Sequence, residues 1–223
     1  SVAMNKFNND LINRIYSAVF KNVNLELEDY DIVHGMDGMT PFFVKRMDVV
    51  TFHHVNPLQN WENYDNVTRI MTRLAVFKAS QIGAVIFQSY YIRDLFLKNS
   101  KSKVKTFVVY PYYINKYLLN KVTREKAREM LGLPTDENIL IAVGTSIKYK
   151  NFDTLYNAVR GTDIKVLRIG GDRNIENERL GWNIPENIIF LGTGDLSDEI
   201  VAYAYISSDA LVFTSTDEGF GLP

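Results

Sequence analysis

Short apolar runs and amphipathic stripes alternate along this chain. The runs span residues 31–34, 49–53, 84–88, 106–109, 139–143, 164–169, 187–191 and 210–213. Most are nearly continuous, which is the pattern of strands covered on both faces and therefore of a parallel sheet. Between them, Val67, Ile70, Met71 and Leu74 share one helical face. Phe152, Leu155, Tyr156 and Val159 repeat that spacing, and Leu196, Ile200, Tyr203 and Ala204 nearly do. An earlier stripe of Leu11, Ile12, Ile15, Tyr16 and Val19 suits either a core or a membrane surface. The core reading is preferred, because the polar face of that stripe is not notably basic. Strands alternating with helices predict right-handed βαβ units in an α/β fold.

Both patterns break over residues 111–120, and Thr123 is a suitable cap for the helix that follows. Two α/β lobes are predicted, residues 1–115 and 116–223. Both ends read as cut. A doubly wound lobe opens on a strand and a glycine-rich turn, whereas this one opens on a helix. The other end stops after a loop that should feed a helix. The expectation is a segment of a longer protein, with both lobes incomplete and little activity from the segment alone.

Composition narrows the classes. The 223 residues are 46% hydrophobic and 13% aromatic, ample for a core. Lys and Arg total 25 against 26 Asp and Glu, a net charge of −1. That balance lacks the basic footprint of a nucleic-acid binder. With no cysteine there is no disulfide, thiolate metal site or cysteine nucleophile. No apolar run approaches the roughly 20 residues of a membrane helix. A cytoplasmic protein is expected, with peripheral contact to a membrane allowed.

Three stretches carry candidate chemistry. Asp217-Glu218-Gly219-Phe220-Gly221-Leu222-Pro223 follows an apolar run. Glycines there let a backbone approach a ligand closely, the N–H groups of a coming helix hold an anion, and a carboxylate accepts from hydroxyls. By composition alone, a surface turn fits equally well. Gly144-Thr145-Ser146-Ile147-Lys148-Tyr149-Lys150-Asn151 leads from a strand into a helix, and suits a diphosphate. A solvated loop with two lysines fits too. Thr51-Phe52-His53-His54 ends a run, where alternation would turn only one imidazole toward a crevice. A bystander histidine is the default there. Gly192-Thr193-Gly194-Asp195-Leu196-Ser197 resembles a dinucleotide fingerprint without its third glycine, and Gly170-Gly171 reads as a tight turn.

In order, the second half reads Ile141-Ala142-Val143-Gly144-Thr145-Ser146, then Lys150-Asn151, then Leu167-Arg168-Ile169-Gly170-Gly171. Asn187 to Gly192, Ser207 to Phe213 and Glu218 to Pro223 follow. This succession closely resembles the donor-binding lobe of retaining GT-B glycosyltransferases, specifically glycosyltransferase family 4. Glu218 to Pro223 resembles the start of that family's E-x7-E signature. In the first half, Asp31 to His34, Val50 to His53 and Phe87-Gln88-Ser89 resemble the acceptor lobe less sharply.

The resemblance implies a GT-B arrangement of two Rossmann-like lobes with mainly parallel sheets. It implies transfer of a hexose from a UDP- or GDP-sugar to an acceptor hydroxyl with retention, without metal or other cofactor. The acceptor class (saccharide, lipid-linked or protein) stays open. Glu218 would contact the transferred sugar, and His53 would border the reaction centre. Gly144, Thr145, Lys148, Lys150, Gly170, Gly192, Gly219, Phe220 and Gly221 would line the donor site. Lys150 matches the lysine of the family's basic pair. Thr145 stands at its arginine position, so Lys148 is the candidate for the second charge. The alternatives are a non-catalytic sugar-nucleotide-binding or scaffold subunit of this fold, and a nicotinamide-dependent oxidoreductase using residues 192–197.

Overall fold

The computed structural model describes residues 27, 29–38, 46–112, 122–193 and 195–223. The stripe of Leu11, Ile12, Ile15, Tyr16 and Val19, residues 113–120 and Gly194 lie outside these. Most of the apolar runs become strands, only His34 of the run 31–34 does, and every strand pair among the described residues is parallel. The first sheet runs in the order β1 (His34–Gly35), β2 (Val49–Phe52), β3 (Ala84–Phe87), β4 (Lys105–Val108). The second contains β5 (Ile139–Val143), β6 (Lys165–Ile169), β7 (Ile188–Leu191) and β8 (Ala210–Leu211), in the order β7-β6-β5-β8. The helices are α1 (Asn66–Ala79), α2 (Tyr90–Ser100), α3 (Arg124–Met130), α4 (Phe152–Val159), α5 (Arg173–Leu180) and α6 (Asp198–Ser207).

By contacts the chain divides into two units. One is Ser1–Pro111 with Glu218–Gly221, and the other is Tyr112–Asp217 with Leu222–Pro223. In the first unit, Val50 and Phe52 of β2 pack with Val85 and Phe87 of β3 against both helices. The Phe96 ring of α2 sits 5.5 Å from Phe52 and 5.1 Å from Phe87. In the second unit the sheet is covered on both faces. Ala142 and Val166 face Phe152, Leu155, Tyr156 and Val159 of α4, while Ile139, Ile141, Leu167 and Ile169 face Ala204 of α6. That two-sided burial is why these strands read as continuous apolar runs.

Caps start the helices where short polar residues stand. Asp65, Ser89, Thr123, Asp172 and Ser197 each accept a bond from a backbone N–H in the first turn that follows. Thr123 caps α3 as its position predicts. Helix α4 differs. It opens at Asn151 in the left-handed region (φ 55°), and no side chain caps it.

Three expectations change on inspection. Helix α1 buries Thr72, Ala75, Val76 and Ala79, not the larger stripe, and leaves Ile70, Leu74 and Phe77 exposed. Strand β8 is a two-residue edge strand, with Leu211 and Phe213 exposed, not a buried run over 210–213. Strand β2 ends at Phe52, so both His53 and His54 follow it and both are exposed. Alternation along a strand therefore does not decide between them.

Candidate functional site

In the second unit the chain runs outward from β5 to β6 and β7, then returns to place β8 on the other side of β5. The gap between β5 and β8 is a topological switch point, where open α/β sheets bind ligands beyond their carboxyl strand ends. The loops that follow these two strands are tied together here. Thr214 Oγ1 donates to the Lys150 carbonyl at 2.8 Å, and Thr216 N–H to the Tyr149 carbonyl at 2.8 Å. Asn151 Nδ2 reaches the Thr214 carbonyl at 3.2 Å. Sequence reasoning missed these two threonines, which carry no motif.

Beside the switch point, three strands end in glycines with positive φ: Gly144 (144°) after β5, Gly170 (82°) after β6 and Gly192 (68°) after β7. Gly144 N–H donates to the Ile169 carbonyl at 3.0 Å, and Gly170 N–H to that of Gly192 at 3.3 Å. A Cβ on Gly170 would come within 2.7 Å of the Gly144 carbonyl oxygen. The result is an edge without side chains, where the strand ends pack closely together.

The basic loop borders this edge. Lys148–Lys150 forms a single 3-10 turn, in which Lys148 is exposed and Lys150 half-buried. The Lys150 stem lies along Gly144, since a Cβ on that glycine would meet its Cε at 3.2 Å and Cδ at 3.3 Å. Thr145 is exposed. The uncapped start of α4 follows directly. Its N–H groups and positive dipole end, together with the two lysines, favour an anion.

Beneath this loop is a buried polar cluster that the sequence did not disclose. Arg168 on β6 and Glu176 on α5 are both fully buried and pair at 3.0 Å. Tyr156 of α4 donates to Glu176 Oε2 and accepts from Arg168 Nε at 3.1 Å. Burial, and then the bond to Glu176, hold the Tyr156 phenol well above its ordinary range, so it stays protonated as a donor. Ser146 Oγ donates to Glu176 Oε1 at 2.5 Å.

The remaining predicted residues lie in the first unit. His53 is exposed, and its Nε2 lies 2.8 Å from the Met36 carbonyl oxygen, to which a protonated nitrogen would donate. Glu218 is half-buried and Phe220 exposed. Gly219 packs so closely that a Cβ would collide with the His53 carbonyl oxygen. Ser89, the cap of α2, also donates to the Gly219 carbonyl at 2.8 Å. The Phe220 ring lies 5.8 Å from that of Tyr110. Close packing therefore brings His53 and the Glu218–Gly221 segment together. The second unit separately gathers Gly144, Thr145, Lys148, Lys150, Gly170 and Gly192.

A family comparison bears on the second gathering. Residues 123–223 match the family of glycosyl transferases group 1. The glycosyl transferases group 1 match starts at the α3 cap and contains every residue of the switch point, the glycine edge and the basic loop. No curated protein sequence matches the chain. Among solved structures, sucrose-phosphate synthase from Thermosynechococcus elongatus is similar at 20% identity and TM-score 0.71, over 95% of this chain and 57% of that one. WaaG, a glycosyltransferase involved in lipopolysaccharide biosynthesis, is similar at 14% identity and TM-score 0.72, over 96% and 61%. Anabaena HepE in complex with UDP-glucose is similar at 17% identity and TM-score 0.60, over 80% and 49%. The chain thus spans about half to three fifths of the length of these structures. The fold class is GT-B, α/β with two Rossmann-like lobes of parallel sheet.

Proposed function

We propose that this chain is the greater part of a retaining glycosyltransferase, moving a hexose from a UDP- or GDP-sugar to an acceptor hydroxyl. The observation that carries the reading is the β5/β8 switch point. Within the segment matching glycosyl transferases group 1, it joins a glycine edge, two lysines and an uncapped helix start. The UDP-glucose held by the similar HepE structure supports a nucleotide-sugar donor.

The chemical demand is stabilising a departing diphosphate. Lys150, with Lys148 as the second cation, and the N–H groups that open α4 would meet it. Donors already in place cost no reorganisation as charge develops. Gly144, Thr145, Gly170 and Gly192 would let the donor approach the strand ends closely. Glu218 would accept hydrogen bonds from the sugar hydroxyls, with the backbone of Gly219, Phe220 and Gly221 against the sugar and phosphate. His53 would position the reactants. In this reading the reaction needs no metal, and the protein works in the cytoplasm or at a membrane surface.

The test is turnover by the complete protein. Purified protein is incubated with UDP- and GDP-hexoses and saccharide acceptors, with and without a chelator, and the anomeric configuration of the product is read by NMR. Transfer with retention, undiminished by chelator, is expected. Tight binding of both nucleotides without transfer to any acceptor would favour a scaffold subunit. Binding of NADH in place of both would overturn the reading.

A further inference from the structure

A fully buried ion pair costs desolvation that apolar residues would avoid, so the placement of Arg168 and Glu176 needs its own explanation. Arg168 points to the α4 side of the sheet, where its guanidinium lies 3.5 Å from the Phe152 ring centroid. Each of its three nitrogens is engaged. Nε serves Tyr156, Nη1 the Gly144 carbonyl at 2.7 Å and the Ile169 carbonyl, and Nη2 Glu176. A charge so engaged cannot reach out to a phosphate. Its effect on the basic loop must pass through geometry.

That geometry is specific. The pair grips the loop at two points, one on each side of Thr145. Arg168 holds the Gly144 carbonyl, and Glu176 Oε1 holds the Ser146 hydroxyl. Gly171, between β6 and α5, leaves space for this grip. A Cβ there would collide with Glu176 Oε1 and lie 2.8 Å from Arg168 Nη2. The grip starts the turn that presents Lys148 and Lys150.

We propose that Glu176 is a positioning residue, which through Ser146 holds the 144–150 loop in the conformation that receives the diphosphate of the donor. This rests on the donor reading above. A loop already in its bound shape loses less conformational freedom when ligand arrives, so the benefit appears as affinity for the diphosphate in particular.

The experiment is titration calorimetry on the complete protein, with UDP and GDP compared with uridine and guanosine, beside thermal unfolding. Ser146→Ala removes the loop's end of the bond and leaves the Arg168–Glu176–Tyr156 contacts in place. Ser146→Thr restores a hydroxyl. Asp209→Asn is the stability control, because Asp209 accepts from Ile139 N–H at the opposite end of β5. Ser146→Ala is expected to weaken diphosphate binding about fivefold to tenfold, as for lost preorganisation of one loop, with the nucleoside nearly unaffected. Ser146→Thr should recover most of the loss. Asp209→Asn should lower the unfolding temperature without changing the ratio of diphosphate to nucleoside affinity. A merely structural bond would make Ser146→Ala behave as Asp209→Asn does, which would overturn the proposal. Lys150→Ala tests the underlying reading. If it lowers the ratio while Ser146→Ala does not, the positioning role alone falls. If neither lowers it, the donor reading falls too.

Discussion

Lys150 holds its aliphatic stem against Gly144, and its ammonium lies 5.7 Å from the Tyr149 ring centroid, beside the glycine edge. Lys150→Ala should therefore weaken nucleoside-diphosphate binding by about 1.5–3 kcal/mol, as for a charge-assisted contact. It should also flatten the salt dependence, while the free nucleoside binds as before. Equal losses for both, measured by calorimetry at two salt concentrations, would make the lysine structural. His53 and His54 make a second comparison, since both are exposed beyond the end of β2. His53→Ala should lower donor-saturated turnover at least about tenfold, roughly 1.4 kcal/mol, with nucleotide affinity nearly intact. His54→Ala should leave turnover close to normal. Reversal of the two would assign the role to the wrong imidazole.

Helix α1 shows what apolar periodicity can and cannot disclose. Its buried face is built on Ala75, Val76 and Ala79, and its exposed face carries Ile70 and Phe77. Ala75→Leu should overpack the core of the first unit and cost about 1–3 kcal/mol. Phe77→Ser should stay within about 0.5 kcal/mol of the parent, and urea unfolding of the two measures both. The reverse order would restore the larger stripe as the buried one. A search for large apolar residues chose the wrong face here, because the face that joins the core carries small ones. On α4 the same search succeeded, since all four residues of its stripe are buried. The strands of the second unit were legible for a related reason, being covered on both faces. The glycine edge and the lysines were legible because their backbone and charge demands leave a local mark. Arg168 and Glu176 were not. An arginine on a strand and a glutamate on a polar helix read as surface residues until the fold brings them together, and the Thr214 and Thr216 ties need the β5/β8 pairing to exist.

Across the whole molecule, carboxylates anchor strand starts in both units. Asp209 accepts from Ile139 N–H, which, with Arg128 and Arg124 nearby, holds its carboxyl below the usual range. Asp48 is lowered in the same way by Val33 N–H and Arg46. A depressed folded value means that each contribution is complete above the ordinary carboxylate range and is lost as pH falls through the folded value. Unfolding temperature should therefore drop on acidification below about pH 4, and Asp209→Asn should flatten that drop. An unchanged slope in the mutant would remove Asp209 from the acid response. The all-parallel pairing has a further consequence, for the order of events during synthesis. No hairpin is available among the paired strands to close first. Leu140 on β5 waits for Ala210, 70 positions later, before that side of the sheet can form. At ribosomal speeds of about 5–20 residues per second, that wait is about 4–14 s. During it one flank of β5 stands open, so the nascent chain exposes the unpaired edge of an apolar strand before the two loops of the switch point can be tied together.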